Sequence, residues 1–203
     1  MKTRRKRLTY AGIFILLAAF IGCFPTSKNR DPSKWMKVIL RDTVNAPINA
    51  VWQLSGKVKI EKATADKKYS SMPSIIRTRP LVGDFSKAGH SRVVYFSTGD
   101  TLIESIIAIR APHTFCYELT KPSLPMRLVA YRARGEFDYS SLDSNRTVTV
   151  WTYSFLNKNL ISKLFINNYI NSTHRLWMRD MLKATKERIE ADYYSSSDSS
   201  TLK

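Results

Sequence analysis

The sequence predicts an α+β domain in which an antiparallel sheet is covered by one long carboxy-terminal helix. Three observations lead there. Five strand-like stretches follow one another between residues 91 and 156 with only short turn signals between them, and short connections between consecutive strands mean antiparallel hairpins. Apolar residues from Leu160 to Ile189 recur at helical spacing, which makes the last element a single amphipathic helix over about 160–191. The chain has 203 residues, enough for one domain with extensions, and its ten Tyr, nine Phe and four Trp against only seven Gly exclude collagen-like and glycine-rich low-complexity chains.

The folded domain is expected at residues 35–192, between a polar tether at 23–34 and a serine-rich tail at 193–203 expected to be disordered. Val38 to Val44 is rich in β-branched residues and reads as the first strand. Asn45-Ala46-Pro47 then opens a short helix at 47–54, with Pro47 in its first turn, where a missing amide hydrogen costs nothing. Residues 55–88 are the least legible and read as a short helix or irregular segment around Met72-Pro73-Ser74-Ile75-Ile76. Next come strands at Ser91–Ser97, Thr101–Arg110, Thr114–Thr120, Leu128–Tyr139 and Arg146–Leu156. Thr98-Gly99-Asp100, Ala111-Pro112-His113, Pro122–Pro125 and Ser140–Asn145 separate them. The final helix carries Leu160, Ile161, Leu164, Phe165, Tyr169, Ile170, Leu176, Trp177, Met181, Ala184 and Ile189 as its apolar stripe, and Lys163, Arg175, Arg179, Lys183, Lys186 and Arg188 opposite. That stripe must be buried, and the sheet is the only large surface available to bury it.

Side chains alternate faces along a strand, so parity assigns the inner face. In 128–139 the odd positions Val129, Tyr131, Ala133, Phe137 and Tyr139 are apolar or aromatic, while the even ones include Arg132, Arg134, Glu136 and Asp138. Phe115, Tyr117 and Leu119 agree, as do Ile103, Ile107 and Ile109, and Val93 with Tyr95. The odd face is therefore expected inside. The residues expected to contact a ligand there are Tyr95, Ile107, Tyr117, Tyr131, Trp151 and Tyr153 from the sheet, with Leu176, Trp177 and Met181 from the helix. A well-filled core explains the same aromatic face equally well. Arg92 and Glu104 are expected to share the even, wet face as an exposed ion pair.

The amino terminus reads as an address. Lys2, Arg4, Arg5, Lys6 and Arg7 precede an uncharged run from Leu8 to Ser27, the basic and apolar regions of a secretory signal at 1–22. Ala19-Phe20-Ile21-Gly22-Cys23 resembles a bacterial lipobox, with Cys23 as the lipidation site. An uncleaved membrane anchor is the alternative, since about 20 apolar residues reach across a bilayer. Both readings place the domain in the cell envelope, membrane-anchored and facing the extracytoplasmic side. The whole chain carries a formal charge of +17, and removing residues 1–22 leaves 28 basic against 16 acidic residues, or +12. For a tethered domain this charge points to an anionic membrane surface. Nucleic acid is not expected, because the charges are scattered and the address is extracytoplasmic. Cys116, the second of two cysteines, reads as a small buried hydrophobe.

No catalytic constellation stands out. His90, His113 and His174 have no metal-ligand spacing with one another or with a cysteine, and neither a phosphate-binding glycine loop nor a nucleophile elbow is present. No cofactor is expected. The order of elements and several stretches resemble the START-like superfamily, the polyketide cyclase/dehydrase and lipid transport group also called SRPBCC. These are Val44-Asn45-Ala46-Pro47-Ile48-Asn49-Ala50-Val51-Trp52, Gly89-His90-Ser91-Arg92-Val93 with Gly99-Asp100-Thr101-Leu102-Ile103-Glu104, Phe115-Cys116-Tyr117-Glu118-Leu119, and Thr147-Val148-Thr149-Val150-Trp151. The resemblance spans about residues 36–190. It implies a helix-grip fold, a curved antiparallel sheet gripping the carboxy-terminal helix around a groove for an apolar ligand. The expected function is a noncatalytic, membrane-tethered binder of a hydrophobic molecule such as a lipid or isoprenoid. The alternatives are a cyclase- or dehydratase-type enzyme using Tyr hydroxyls or Glu104, and an envelope interaction protein with a filled core.

Overall fold

The computed structural model describes residues 30–58, 61, 72–122, 127 and 130–201, with side chains to 196. The signal, the lipobox with Cys23 and most of the tether lie outside the described residues. Among those described, no helix is long and apolar enough to cross a membrane.

Seven strands form one antiparallel sheet: β1 (Met36–Val44), β2 (Ile75–Val82), β3 (Ser91–Phe96), β4 (Thr101–Arg110), β5 (Thr114–Thr120), β6 (Ala130–Ser141) and β7 (Thr147–Asn157). Their spatial order is β1-β7-β6-β5-β4-β3-β2. The consecutive hairpins from β3 to β7 are those read from the turn signals; β2 pairs with β3 at one edge and β1 with β7 at the other. Helix α1 (Ile48–Ser55) follows β1, with Pro47 at its amino cap. The carboxy-terminal helix runs as α2 (Leu160–Tyr169), a π-helical turn (Ile170–His174) and α3 (Arg175–Thr201). It starts at a capping box. The Asn159 side chain accepts from the Ser162 amide at 2.8 Å, and the Ser162 hydroxyl accepts from the Asn159 amide at 2.8 Å. It continues through the serine-rich stretch read as tail.

Two expectations need correction. The segment 55–88, read as helix or irregular, contains strand β2 at the sheet edge. It is almost wholly exposed, carries Arg77 and Arg79, and has Pro80 within it, which only an edge strand tolerates. The parity assignment also fails in β3 and the first half of β4. Ile106 pairs with Tyr117, but the next pair is Ala108 with Cys116, so Ile107 is the extra residue of a β-bulge. Beyond the bulge, Ile109 sits opposite Phe115 on the odd face as expected. Before it the even residues point inward: Glu104 and Ile106 are 5% and 1% exposed, whereas Ile107 is 43% exposed. β3 is in register with this first half, so Val94 is buried and Tyr95 faces outward under the Arg77 guanidinium, 4.1 Å from the ring centroid.

The core divides along the helix. Trp151, Met178, Met181 and Leu182 pack with Phe137 in the middle, and Val44, Ala46, Val51, Tyr139 and Ile189 form a second cluster under α1. Trp151 stacks on Phe137 at 4.7 Å between centroids and meets Trp177 at 5.4 Å. The outer face of β5 and β6 is not simply wet. Trp35 is buried there beneath the Arg132 and Arg134 guanidinia, which both pair with Glu118.

Candidate functional site

The helix and the sheet separate toward α2 and the β3–β4 end, leaving a cavity of about 610 Å³. Its floor is Val94, Leu102, Glu104, Tyr117, Leu119, Ala133, Tyr153 and Phe155. Its roof comes from the helix: Phe165, Ile166, Tyr169, His174 and Trp177. Met72, Pro73, Asp100, Asn168 and Ser172 form the rim. The volume falls within the range of small-molecule sites, and the lining is apolar and aromatic with a few polar groups among it.

The sequence dictates several of these placements. Tyr117 lies directly opposite Gly135 on β6, and a Cβ at residue 135 would overlap the Tyr117 ring. The missing side chain thus lets the phenol lie flat across β6 and form floor. On the helix, Ile166, Ile170, His174 and Met178 are all buried and follow one another every four residues. In an α-helix that spacing drifts by roughly 40° per step. The wider π turn absorbs the drift and keeps His174 facing the sheet. The turn is Ile-Asn-Ser-Thr-His, and Ser172 donates its hydroxyl to the Asn168 carbonyl at 2.8 Å, a side-chain bond that competes with regular helix.

Besides Asp100 at the rim and Arg132, which pairs with Glu118, the charge at the cavity comes from one close pair. Arg92 Nε donates to Glu104 Oε2 at 2.5 Å, with the guanidinium stacked 4.0 Å over the Phe85 ring. Burial pushes the Glu104 carboxyl up, and Arg92 opposes this only in part. Burial also pushes the Tyr117 and Tyr153 phenols up, so they remain neutral donors. His174 is pulled down to about 3 by burial and is a neutral imidazole at any physiological pH.

Of the nine residues expected at a ligand, Tyr117, Tyr153 and Trp177 line this cavity. Trp151 and Met181 are buried in the packed core beside it. Tyr95 and Ile107 lie on the outer face for the reason given by the bulge, and Leu176 is 40% exposed on the outer side of the helix. Tyr131 sits at a second register shift, in β6, and lines a separate small depression with Lys121, Arg127 and Lys158. Sequence reasoning kept Glu104 only for the enzyme alternative, placing it on the outer face, and missed His174 as a cavity residue. Their signals were the Arg92–Glu104 pairing, correctly matched but assigned to the wrong face, and the four-residue spacing through His174.

No family model and no curated protein matches the sequence. Among solved structures, a protein from Nitrosospira multiformis aligns at 14% identity and a TM-score of 0.54, covering 78% of this chain and 99% of that one. Ara h 8.0201 aligns at 12% identity and a TM-score of 0.55, covering 77% and 98%. A point mutant of Thalictrum flavum norcoclaurine synthase, in complex with a transition-state analogue, aligns at 10% identity and a TM-score of 0.57, covering 78% and 96%. At these identities the likeness is one of architecture, and with the sheet order and long helix described above it establishes that the chain has the helix-grip fold seen in the START-like superfamily.

Proposed function

We propose that the chain is a membrane-tethered, extracytoplasmic binding protein for a hydrophobic ligand such as a lipid or isoprenoid. The observation that carries this reading is the cavity of about 610 Å³ with its largely apolar lining between sheet and helix. Burying apolar ligand surface there contributes about 25 cal/mol per Å². Tyr117, Tyr153 and Trp177 supply wide, rigid walls for an acyl chain or ring system. The basic and apolar segments at 1–22 and the Cys23 lipobox support the envelope address, and the charge of the chain supports an anionic membrane surface as its neighbour.

Glu104 gives a second reading some support. A carboxyl with a raised pKa inside an apolar cavity is the kind of group that serves as a general acid, as a cyclase or dehydratase would need. Its tight pair with Arg92 and the neutral, high-pKa phenols around it make binding the better supported reading.

Native mass spectrometry of the full chain isolated from its own envelope, alongside an organic extract, tests the proposal. A discrete added mass matching an extracted lipid is expected. A clean apo mass that stays unchanged across a lipid panel overturns it. Turnover of a bound compound that is lost in Glu104→Gln, with the fold intact, favours the enzyme instead.

A further inference from the structure

Helix α2 is apolar on two sides. It buries Ser162 and Ile166 toward the sheet, yet Leu160, Ile161, Leu164 and Phe165 are exposed, Leu164 and Phe165 by 72% and 64%. Residues one turn apart share a helix face, so these four make a continuous patch, and an exposed apolar patch marks an interaction surface. Phe165 also lines the cavity, which puts the patch at the cavity mouth.

The surroundings of the patch are basic. Lys158 directly precedes the Asn159 cap of α2, and Lys163 is exposed on the helix itself. Lys158 shares a depression with Lys121 and Arg127, and Pro122, Ala130 and Arg132 line both that depression and the cavity. The sequence has no acidic residue between Glu118 and Glu136 or between Asp143 and Asp180. The acidic rim residue, Asp100, belongs to the β3–β4 turn and not to α2.

The tether reaches the domain at this same end. Met36, which opens β1, is paired with Phe155 near the end of β7, and β7 leads through Lys158 into α2. Just before β1, Trp35 lies under the Arg132 guanidinium and donates its indole N–H to the Arg30 carbonyl at 2.8 Å. Arg30 is seven residues past Cys23, so a lipid on that cysteine would be held within about 25 Å of Arg30.

We propose that the exposed face of α2 docks on an anionic lipid bilayer. Leu160, Ile161, Leu164 and Phe165 seat among the acyl chains below the headgroups, and Lys158 and Lys163 reach the phosphates. The cavity then opens onto the membrane, and an apolar ligand passes between the two without crossing water. This rests on the reading of a membrane-tethered binder and goes further by naming the docking surface and the ligand's route. An anionic bilayer satisfies both the apolar patch and its basic border. A second copy of the chain would set like charges against each other.

The test reconstitutes the full chain in vesicles of phosphatidylcholine and phosphatidylglycerol, with the photocrosslinker p-benzoylphenylalanine in place of Leu164. The control places it at Leu142, exposed in the β6–β7 turn at the other end of the sheet. Illumination should join position 164 to lipid and leave position 142 free of it. A lysine near an anionic surface contributes roughly fivefold to binding, so Lys158→Glu/Lys163→Glu should cut the lipid yield at 164 by at least about fivefold. In phosphatidylcholine alone the pair of substitutions should matter little. Crosslinks from 164 to a second copy, or none to lipid in a chain that floats with the vesicles, overturn the docking face and leave the tethered binder standing. A yield at 164 that the charge reversal leaves unchanged overturns the anionic docking. A full chain that does not float with the vesicles overturns the tethered reading, and the docking with it.

Discussion

Arg92→Met breaks the one buried ion pair of the cavity wall while keeping an apolar stem of similar length. Glu104 is 5% exposed, so its carboxylate loses its only compensating charge with little access to water. Burial then drives the folded variant toward the protonated side chain, whereas the unfolded chain titrates near the ordinary glutamate value of 4.5. The folded variant alone carries the cost of that proton at neutral pH, and removing one partner of a buried pair costs roughly 3–5 kcal/mol. For a domain of this size about 3 kcal/mol lowers Tm by roughly 6–12 °C. Thermal unfolding of the full chain in mild detergent, followed by near-ultraviolet ellipticity, reads this directly. The deficit should shrink at pH 4.5, where the unfolded chain also holds the proton. The double variant Arg92→Met/Glu104→Gln should fall within about 1 kcal/mol of wild type, because no charge is left stranded. A drop under about 2 °C at pH 7, or the same drop at both pH values, would refute the reasoning and show that cavity water solvates Glu104.

His174 is held neutral with a pKa near 3 against 6.5 when unfolded, so the unfolded chain binds the extra proton between those values. Its contribution to stability is present above pH 6.5 and is lost as pH falls toward 3, and His174→Gln should flatten the Tm profile across that window relative to wild type. Gly135→Ala should cost about 1–3 kcal/mol by forcing the Tyr117 ring off β6, and a Tyr117→Leu background should recover most of it in the same melting assay. Trp151→Ala should destabilise by about 3–5 kcal/mol, because Trp151 is core between Phe137 and Trp177 and is no part of the cavity lining. Burial pushes the Cys116 thiol up to about 11, so it should resist a thiol reagent in the native protein and react fully in denaturant; fast native labelling at Cys116 would contradict its burial.

The elements legible in the sequence were those whose pattern is set by one covered face. β4 and β5 begin and end at the residues expected, and β1, β3, β6 and β7 differ by one or two positions. β2 was illegible because an edge strand with both faces largely exposed has no alternation to read, and Pro80 argues against a strand unless its edge position is known. The helix was legible in its start at Leu160 but not in its end, which lies at Thr201 beyond the expected 191, nor in its phase. Leu160, Ile161, Leu164 and Phe165 look like core in a periodicity count, yet they are exposed on α2, while Ser162 and His174 are buried. The π turn rotates the stripe, and nothing in an apolar count reveals a widened turn made by Asn, Ser and Thr.

One inserted residue decides the chemistry of the site. Without the bulge at Ile107, parity would carry Ile103 and Ile107 into the cavity and leave Arg92 and Glu104 as a surface pair of little consequence. With it, the strand half nearest α2 turns its even face inward and brings a carboxylate and its guanidinium under the helix. The far half keeps its odd, aromatic face inward and packs solid around Phe137 and Trp151. The filled core and the ligand cavity, which the sequence left as rivals, are therefore the two ends of one sheet. The bulge marks the boundary, with the polar cavity residues Glu104, Tyr117, Tyr153 and His174 all on the cavity side of the packed aromatics. Deleting Ile107 would test this division. With Ile107 gone, the pairs Ile106–Tyr117 and Ala108–Cys116 become consecutive, so Glu104 and Ile106 should stay inward and the variant should keep the cavity beside a Phe137–Trp151 core that melts cooperatively; exposure of Glu104 or loss of the cooperative melt would count against the division.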